Sequence, residues 1–157
     1  MQKISPCLWF DNQAEEAVGF YTSVFKYSKI DKVSYYGDAG PGMKGTVLTI
    51  TFQLNGQEFM ALNGGPEYKF TPALSLFVNI KDQEEVDYFW DKLSEGGEKG
   101  QCGWLTDIYG VSWQIVPTIL GELMSDKDTK KTANVIRALL QMKKLDIVML
   151  KKAYEQA

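Results

Sequence analysis

The chain has 157 residues, of which 45% are hydrophobic, 13% aromatic and 24% charged, and its formal net charge is −3. This composition is typical of one globular domain, or of two small modules, with a sizeable core. The small negative charge excludes a general electrostatic attraction to nucleic acid or to an anionic membrane, so we expect neither as a partner.

The sequence contains no histidine. Nucleophiles that are activated by histidine are therefore excluded, and so are metal sites that depend on imidazole ligands. Any acid–base chemistry would have to use Asp, Glu, Tyr, Lys or Cys with a shifted pKa.

The cysteines, Cys7 and Cys102, bear on the cellular compartment. The N-terminal residues lack the apolar stretch of a secretion signal, and no apolar run approaches the roughly 18 residues of a membrane span. Disulfides form mainly in oxidising compartments. We therefore expect a cytoplasmic protein in which both thiols are free.

The first elements are predicted to be a strand and a helix. Residues 4–10 are an apolar strand, and apolar side chains at helical spacing then predict a helix that ends near Phe25. Asn12, followed by Glu15, resembles a capping box at the helix start.

Alternating apolar residues predict three strands after this helix. The strands cover residues 29–36, 46–54 and 57–62. Asn55-Gly56 separates the last two strands and predicts a type I′ hairpin turn, because both of its central residues require positive φ.

The stretch from Gly40 to Gly45 matches the G-x-G-x-x-G pattern of dinucleotide-binding sites. In such sites the pattern follows a strand and opens a helix, whose N-terminus meets the phosphates. Here a clear strand follows the glycines. We interpret the stretch as a loop between strands and predict no cofactor.

The same order of elements begins again at residue 73. Alternation predicts one strand face directed at a helix and one directed away from it. The predicted helix side is Leu74, Leu76, Val78 and Ile80, and the other side is Ser75, Phe77 and Asn79. Asp82 with Glu85 predicts the next helix start.

Residues 101–117 predict strand, turn and strand. Asp107 lies where a turn favours aspartate. In the second strand, alternation directs Trp113 and Ile115 to the core and Gln114 to the opposite face.

The two halves are an internal repeat. Glu15-Glu16-x3-Phe20-Tyr21-x2-Val24 matches Glu84-Glu85-x3-Phe89-Trp90-x2-Leu93 at an offset of 69 residues. We predict an α+β fold of two βαβββ modules, residues 1–66 and 67–118, each supplying half of a curved sheet.

A basic helical extension, residues 119–157, has no counterpart in the first half. We interpret it as a solvated helical face. The alternatives are a partner or self-association surface and nucleic-acid binding.

The duplicated order and several motifs resemble the vicinal oxygen chelate superfamily, which includes glyoxalase I, extradiol dioxygenases and bleomycin-resistance proteins. The motifs resemble its PhnB-like subfamily, often labelled 3-demethylubiquinone-9 3-methyltransferase. They are Glu85-Val86-Asp87-Tyr88-x-Trp90-Asp91-Lys92-Leu93, Cys102-Gly103-Trp104-Leu105, and Tyr109-Gly110-Val111-Ser112-Trp113-Gln114-Ile115-Val116-Pro117. The resemblance extends into the tail, through Ala138-x2-Gln141-Met142-x-Lys144-Leu145-Asp146-Ile147.

The resemblance implies where a metal would lie. Catalytic relatives hold a divalent ion with His, Gln or Glu from the first and last strands of each module. The matching positions here are Ser75 and Gln114, and the first strand offers only Cys7 as a soft ligand. Zinc and iron sites need about three anionic or imidazole ligands, so we predict no metal.

Aromatic and neutral polar side chains at these positions predict a pocket for a small organic ligand in the concavity of the fold. The candidate residues are Ser75, Phe77, Cys102, Trp104 and Gln114. The alternative is that these polar groups only satisfy one another, or that side chains fill the concavity.

The function predicted from the sequence is therefore metal-independent binding of a small organic molecule. One alternative is an enzyme of the same superfamily, either a lyase, a dioxygenase or, by family label only, a methyltransferase. Another is an interaction module that acts through its basic tail. The resemblance further implies a homodimer.

Overall fold

The computed structural model describes residues 2–156, which form an α+β fold of eight strands and five helices. The chain divides into two compact units, one ending at Phe70 and the other beginning at Thr71. Each unit has its own four-stranded mixed sheet, and the duplicated βαβββ order predicted from the repeat is confirmed. Within the described residues, no helix is both long and apolar enough to span a bilayer.

The first unit has one helix and one sheet. Its elements are β1 (Cys7–Phe10), α1 (Ala14–Val24), β2 (Lys29–Tyr35), β3 (Val47–Leu54) and β4 (Gln57–Asn63). The strand order is β1-β4-β3-β2, with β1 parallel to β4 and the other pairs antiparallel. The predicted hairpin turn is confirmed, because Asn55 and Gly56 have φ of 49° and 82° between β3 and β4.

The start of α1 corrects a prediction. The expected capping box at Asn12 is absent from the described contacts, and the cap position falls on Gln13, which makes no side-chain cap bond. Instead, the Asn63 side chain at the end of β4 accepts from the Ala14 amide at 2.9 Å and donates to Glu15 at 2.8 Å. Local spacing gave no sign of this cap, because it comes from 49 residues away.

The second unit repeats the pattern and adds helices. Its elements are β5 (Ser75–Ile80), α2 (Gln83–Ser94), β6 (Glu98–Lys99), β7 (Trp104–Thr106), β8 (Ser112–Pro117), α3 (Thr118–Met124), α4 (Thr129–Leu139) and α5 (Ile147–Glu155). The strand order is β5-β8-β7-β6, with β5 parallel to β8. The cap on α2 is confirmed, because Asp82 accepts from the Glu85 amide at 2.9 Å.

One side chain that was predicted for the helix-facing side of β5 is exposed instead. Leu74 precedes the strand and is 60% exposed, so it was wrongly assigned to the helix side. In β8 the predicted alternation is observed, since Trp113 and Ile115 are buried and Gln114 between them is half-buried.

The C-terminal helices have a small core of their own and are tied to α2. Leu123, Val135 and Leu150 form the buried centre of this core. On α2, the Gln83 side chain donates to the Leu145 carbonyl at 3.0 Å and accepts from the Ile147 amide at 2.9 Å. The basic extension is therefore an integral part of the second unit.

A side-chain hydrogen bond joins the last helix of the extension to the loop between α3 and α4. The Tyr154 hydroxyl of α5 donates to Asp126, in the loop between α3 and α4. This bond lowers the pKa of Asp126 and raises the pKa of Tyr154. Lys131 lies above the Tyr154 ring, 4.7 Å from its centroid.

We predict that Tyr154→Phe removes a pH-dependent part of the stability of the extension. A lowered pKa makes Asp126 stabilising above its unfolded value of about 3.9, and this stability is lost as pH falls through the folded pKa. A raised pKa makes Tyr154 stabilising below about pH 10, and this part is lost as pH rises through the folded pKa. The phenylalanine keeps the ring under Lys131 but loses the bond.

The measurement is urea unfolding of both proteins from pH 3 to pH 11. The stability difference between wild type and Tyr154→Phe should be constant near neutral pH and shrink at both extremes. A difference that stays the same at pH 3 and pH 7 would show that the pair does not contribute through Asp126.

Candidate functional site

Four of the five predicted site residues lie side by side on one face of the second sheet. In the strand register, Phe77 of β5 pairs with Gln114 of β8, and Gln114 pairs with Trp104 of β7. Paired residues project to the same side of a sheet, so these three side chains form a row across three strands. We call Ser75, Phe77, Trp104 and Gln114 the second-sheet row.

A hydrogen bond joins the polar members of this row. The Gln114 side-chain amide donates to the Ser75 hydroxyl oxygen at 3.0 Å. The bond leaves the Gln114 carbonyl oxygen able to accept and the Ser75 hydroxyl able to donate. Phe77 beside the pair is 52% exposed, and Trp104 is half-buried. The row therefore combines aromatic surface with neutral groups that can accept and donate hydrogen bonds.

The turn between β7 and β8 is fixed by the buried side chain of Asp107, which is 3% exposed. One of its oxygens accepts from the Tyr109 amide at 2.9 Å and from the Val111 amide at 3.0 Å, and the other accepts from the Trp113 indole at 2.8 Å. The turn role predicted for Asp107 is confirmed, and so is the core position of Trp113. With Trp113 held on the core side, its neighbour Gln114 must project to the opposite face.

The turn before β7 is supported by the C-terminal extension. The Cys102 amide donates to the Met142 carbonyl and the Gly103 amide to the Lys143 carbonyl, both at 2.8 Å. Gly103 has φ of +85°, and a Cβ there would lie 2.9 Å from the Ile115 carbonyl oxygen. Only glycine satisfies both constraints, so this turn leads into β7 at a fixed position.

Cys102, the fifth predicted site residue, is directed elsewhere. Its backbone φ is +59°, and its thiol lies 3.6 Å from the carbonyl oxygen of Leu139 in α4. The thiol therefore contacts the extension, while the other four predicted residues share the row. No sequence signal predicted this contact, because Leu139 is 37 residues away.

The side chains of the row do not fit the divalent metal that the resemblance stated from the sequence implies. Ser75 and Gln114 are neutral and bind each other, whereas stable zinc and iron sites use imidazole, thiolate or carboxylate ligands. Among residues 2–156, no group of three or more Cys, Asp and Glu side chains could hold a metal ion.

In the first unit, a serine side chain is hydrogen-bonded to a carboxylate. Ser5 donates to the Glu58 carboxylate at 2.9 Å, and the Gln2 side chain accepts from the Glu58 amide at 2.9 Å. Cys7 follows two residues later and is exposed, although desolvation of its thiol raises its pKa. A raised pKa disfavours the thiolate at neutral pH. Both cysteines are free thiols, as predicted.

The first unit also contains a cavity that the sequence did not predict. Its volume is about 330 Å³, and its walls include Trp9, Tyr36, Leu48 and Leu62. Four residues of the loop between β2 and β3 form part of the lining, namely Gly37, Ala39, Gly40 and Pro41. This loop contains the G-x-G-x-x-G stretch, and the expectation that it connects two strands is confirmed.

These features can be compared with known proteins. The model of the 3-demethylubiquinone-9 3-methyltransferase family matches residues 2–116. A PhnB protein from Bacillus cereus is 44% identical, with a TM-score of 0.68, and the match covers 74% of this chain and 99% of that one. A protein from Pseudomonas aeruginosa is 20% identical, with a TM-score of 0.63, and the match covers 74% of this chain and 98% of that one. No curated protein matches.

The chain belongs to the 3-demethylubiquinone-9 3-methyltransferase family, as the family model and the similarity to the PhnB protein from Bacillus cereus show. The resemblance to this family that was stated from the sequence is confirmed. The likeness to the Pseudomonas aeruginosa structure supports the fold alone. The family match ends one residue before Pro117, so α3, α4 and α5 lie outside it, and so does the tail motif that we expected to share.

We predict that Asp107→Ala lowers the free energy of unfolding by about 3 kcal/mol, because it leaves the buried Trp113 indole N–H and the turn amides without their acceptor. Urea unfolding measures the loss. The matched control is Asp128→Ala: Asp128 also accepts from backbone amides, at the exposed start of α4, and its loss should cost about 1 kcal/mol. Equal losses in the two variants would contradict the role given to Asp107.

Proposed function

We propose that this protein binds a small, partly aromatic organic molecule at the second-sheet row, without a metal. The observation that carries the proposal is the hydrogen bond from Gln114 to Ser75, with Gln114 lying between Phe77 and Trp104 in the row. Aromatic walls with a few placed polar groups are the usual composition of small-molecule sites.

The polar pair would orient the ligand. The free carbonyl of Gln114 accepts a hydrogen bond and the hydroxyl of Ser75 donates one, so together they suit an amide, an enol or a similar group with a donor and an acceptor. The exposed ring of Phe77 supplies apolar area that is removed from water on binding. A neutral polar group attached to a ring would therefore satisfy the whole row.

Methyl transfer, which the family name denotes, has no corresponding feature in the glycine-rich stretch. Gly40–Gly45 connects β2 to β3, whereas a nucleotide-type site needs a helix after the glycines. We infer binding as the role of the row from its aromatic and neutral polar side chains. The proposal includes a cytoplasmic location, which the free thiols support, and no nucleic-acid or membrane partner, which the small negative charge supports. It also includes a homodimer, which rests on the family resemblance alone.

The proposal is tested with benzamide, which joins one ring to one amide. Isothermal titration should show binding to the wild type, about tenfold weaker binding to Gln114→Ala because a hydrogen bond is lost, and about tenfold weaker binding to Phe77→Ala because the aromatic wall is lost. The matched control is Gln53→Ala, since Gln53 is also a half-buried strand glutamine whose side-chain amide donates a hydrogen bond, in this case to Asp31.

Native mass spectrometry of the purified protein tests the other parts of the proposal at once. We expect no stoichiometric metal, and a mass of two chains. A metal bound at one equivalent per chain would overturn the metal-free site. Unchanged benzamide affinity in Gln114→Ala would remove that residue from the site.

A further inference from the structure

We propose that the first unit contains a second binding site, for a neutral aromatic molecule of one or two rings, in the cavity lined by Trp9 and Tyr36. This site goes beyond the proposed function, because every residue that carries it belongs to the first unit, whereas the second-sheet row belongs to the second.

The cavity has the size of a small-molecule site. Its volume of about 330 Å³ is within the range of ligand pockets, about 300–1,000 Å³. A single aromatic ring or a fused pair of rings matches a space of this size.

The Tyr36 wall is held in place from both ends. Its hydroxyl donates to the Asn63 carbonyl at 2.5 Å, and the residue is 8% exposed. The glycine-rich loop lies directly on its ring, because a Cβ at Gly42 would be 2.2 Å from the ring carbon Cε2. The glycine that suggested a nucleotide site is thus required for the close contact between the loop and the ring.

The Trp9 wall is built in the same way. Its indole N–H donates to the Gly65 carbonyl at 2.9 Å, and a Cβ at Gly64 would be 2.4 Å from the indole carbon Cε2. Tyr68 packs edge-on against the indole with 4.9 Å between ring centroids. Both aromatic walls are therefore fixed before a ligand arrives, which lowers the entropy cost of binding.

The chemistry of the lining selects a neutral ligand. Every residue that lines the cavity is uncharged. Leu48 and Leu62 add aliphatic area, and the polar atoms of the two aromatic side chains already make hydrogen bonds within the protein. The nearby loop charges, Lys44 and Asp38, pair with each other at 2.7 Å. A charged ligand would lose its hydration with no partner in return, whereas an apolar aromatic ring would gain by leaving water.

The test uses 6-propionyl-2-(dimethylamino)naphthalene, a neutral two-ring dye whose fluorescence shifts to shorter wavelength in apolar sites. We expect the wild type to bind it with a dissociation constant on the order of 0.1 mM or tighter. Trp9→Leu removes one wall and should weaken binding about tenfold. Gly64→Ala forces a methyl group into the indole and should weaken binding similarly.

Two controls separate this site from other sites and from misfolding. Gly19→Ala is the matched glycine change, because a Cβ at Gly19 in α1 meets nothing within 4 Å, and it should leave the affinity unchanged. Phe77→Ala should also leave it unchanged, because Phe77 belongs to the second-sheet row. Loss of dye binding in Phe77→Ala, with full binding in Trp9→Leu, would overturn the proposal. It would show that the dye binds at the second-sheet row and not in the cavity.

Nuclear magnetic resonance of the wild type gives an answer even if both wall variants fail to fold. In an ¹⁵N-labelled sample, saturating dye should shift the Trp9 indole N–H signal and leave that of buried Trp113 unchanged. A Trp9 signal that stays in place at saturating dye would overturn the site.

Discussion

The hydrogen bonds of the buried Asp107 side chain set the arrangement of the last strand in the second unit. This side chain joins a tight turn to the indole of Trp113, and thereby decides which residues of β8 face the core. Since side chains alternate along a strand, fixing Trp113 inward fixes Gln114 outward, beside Ser75 and Phe77. A structural hydrogen bond on one face of the sheet thus positions a candidate binding group on the other.

The two units have the same topology but different chemistry at related places. In the first unit, a serine that precedes β1 donates to the Glu58 carboxylate, and in the second unit Ser75 of β5 accepts from an amide. The strands in both units are held by backbone hydrogen bonds and by the buried face of the sheet. Side chains on the other face can therefore differ between the two units without a change of topology.

Glycine has a packing role in the first unit that its sequence pattern conceals. Gly42 and Gly64 allow backbone to lie on the rings of Tyr36 and Trp9. The result is a cavity with rigid aromatic walls rather than a phosphate-binding loop. In the second unit, Gly103 has a comparable role, since it admits the Ile115 carbonyl and positions the strand that carries Trp104.

Periodicity and local turn chemistry were enough to predict the duplicated βαβββ order, the Asn55-Gly56 hairpin, the turn at Asp107 and the outward position of Gln114. Three features became visible only in the folded chain, namely the cap on α1 from Asn63, the contact of Cys102 with Leu139, and the cavity beside Trp9. The physical reason is distance along the chain: these contacts join residues tens of positions apart, and no local spacing encodes them.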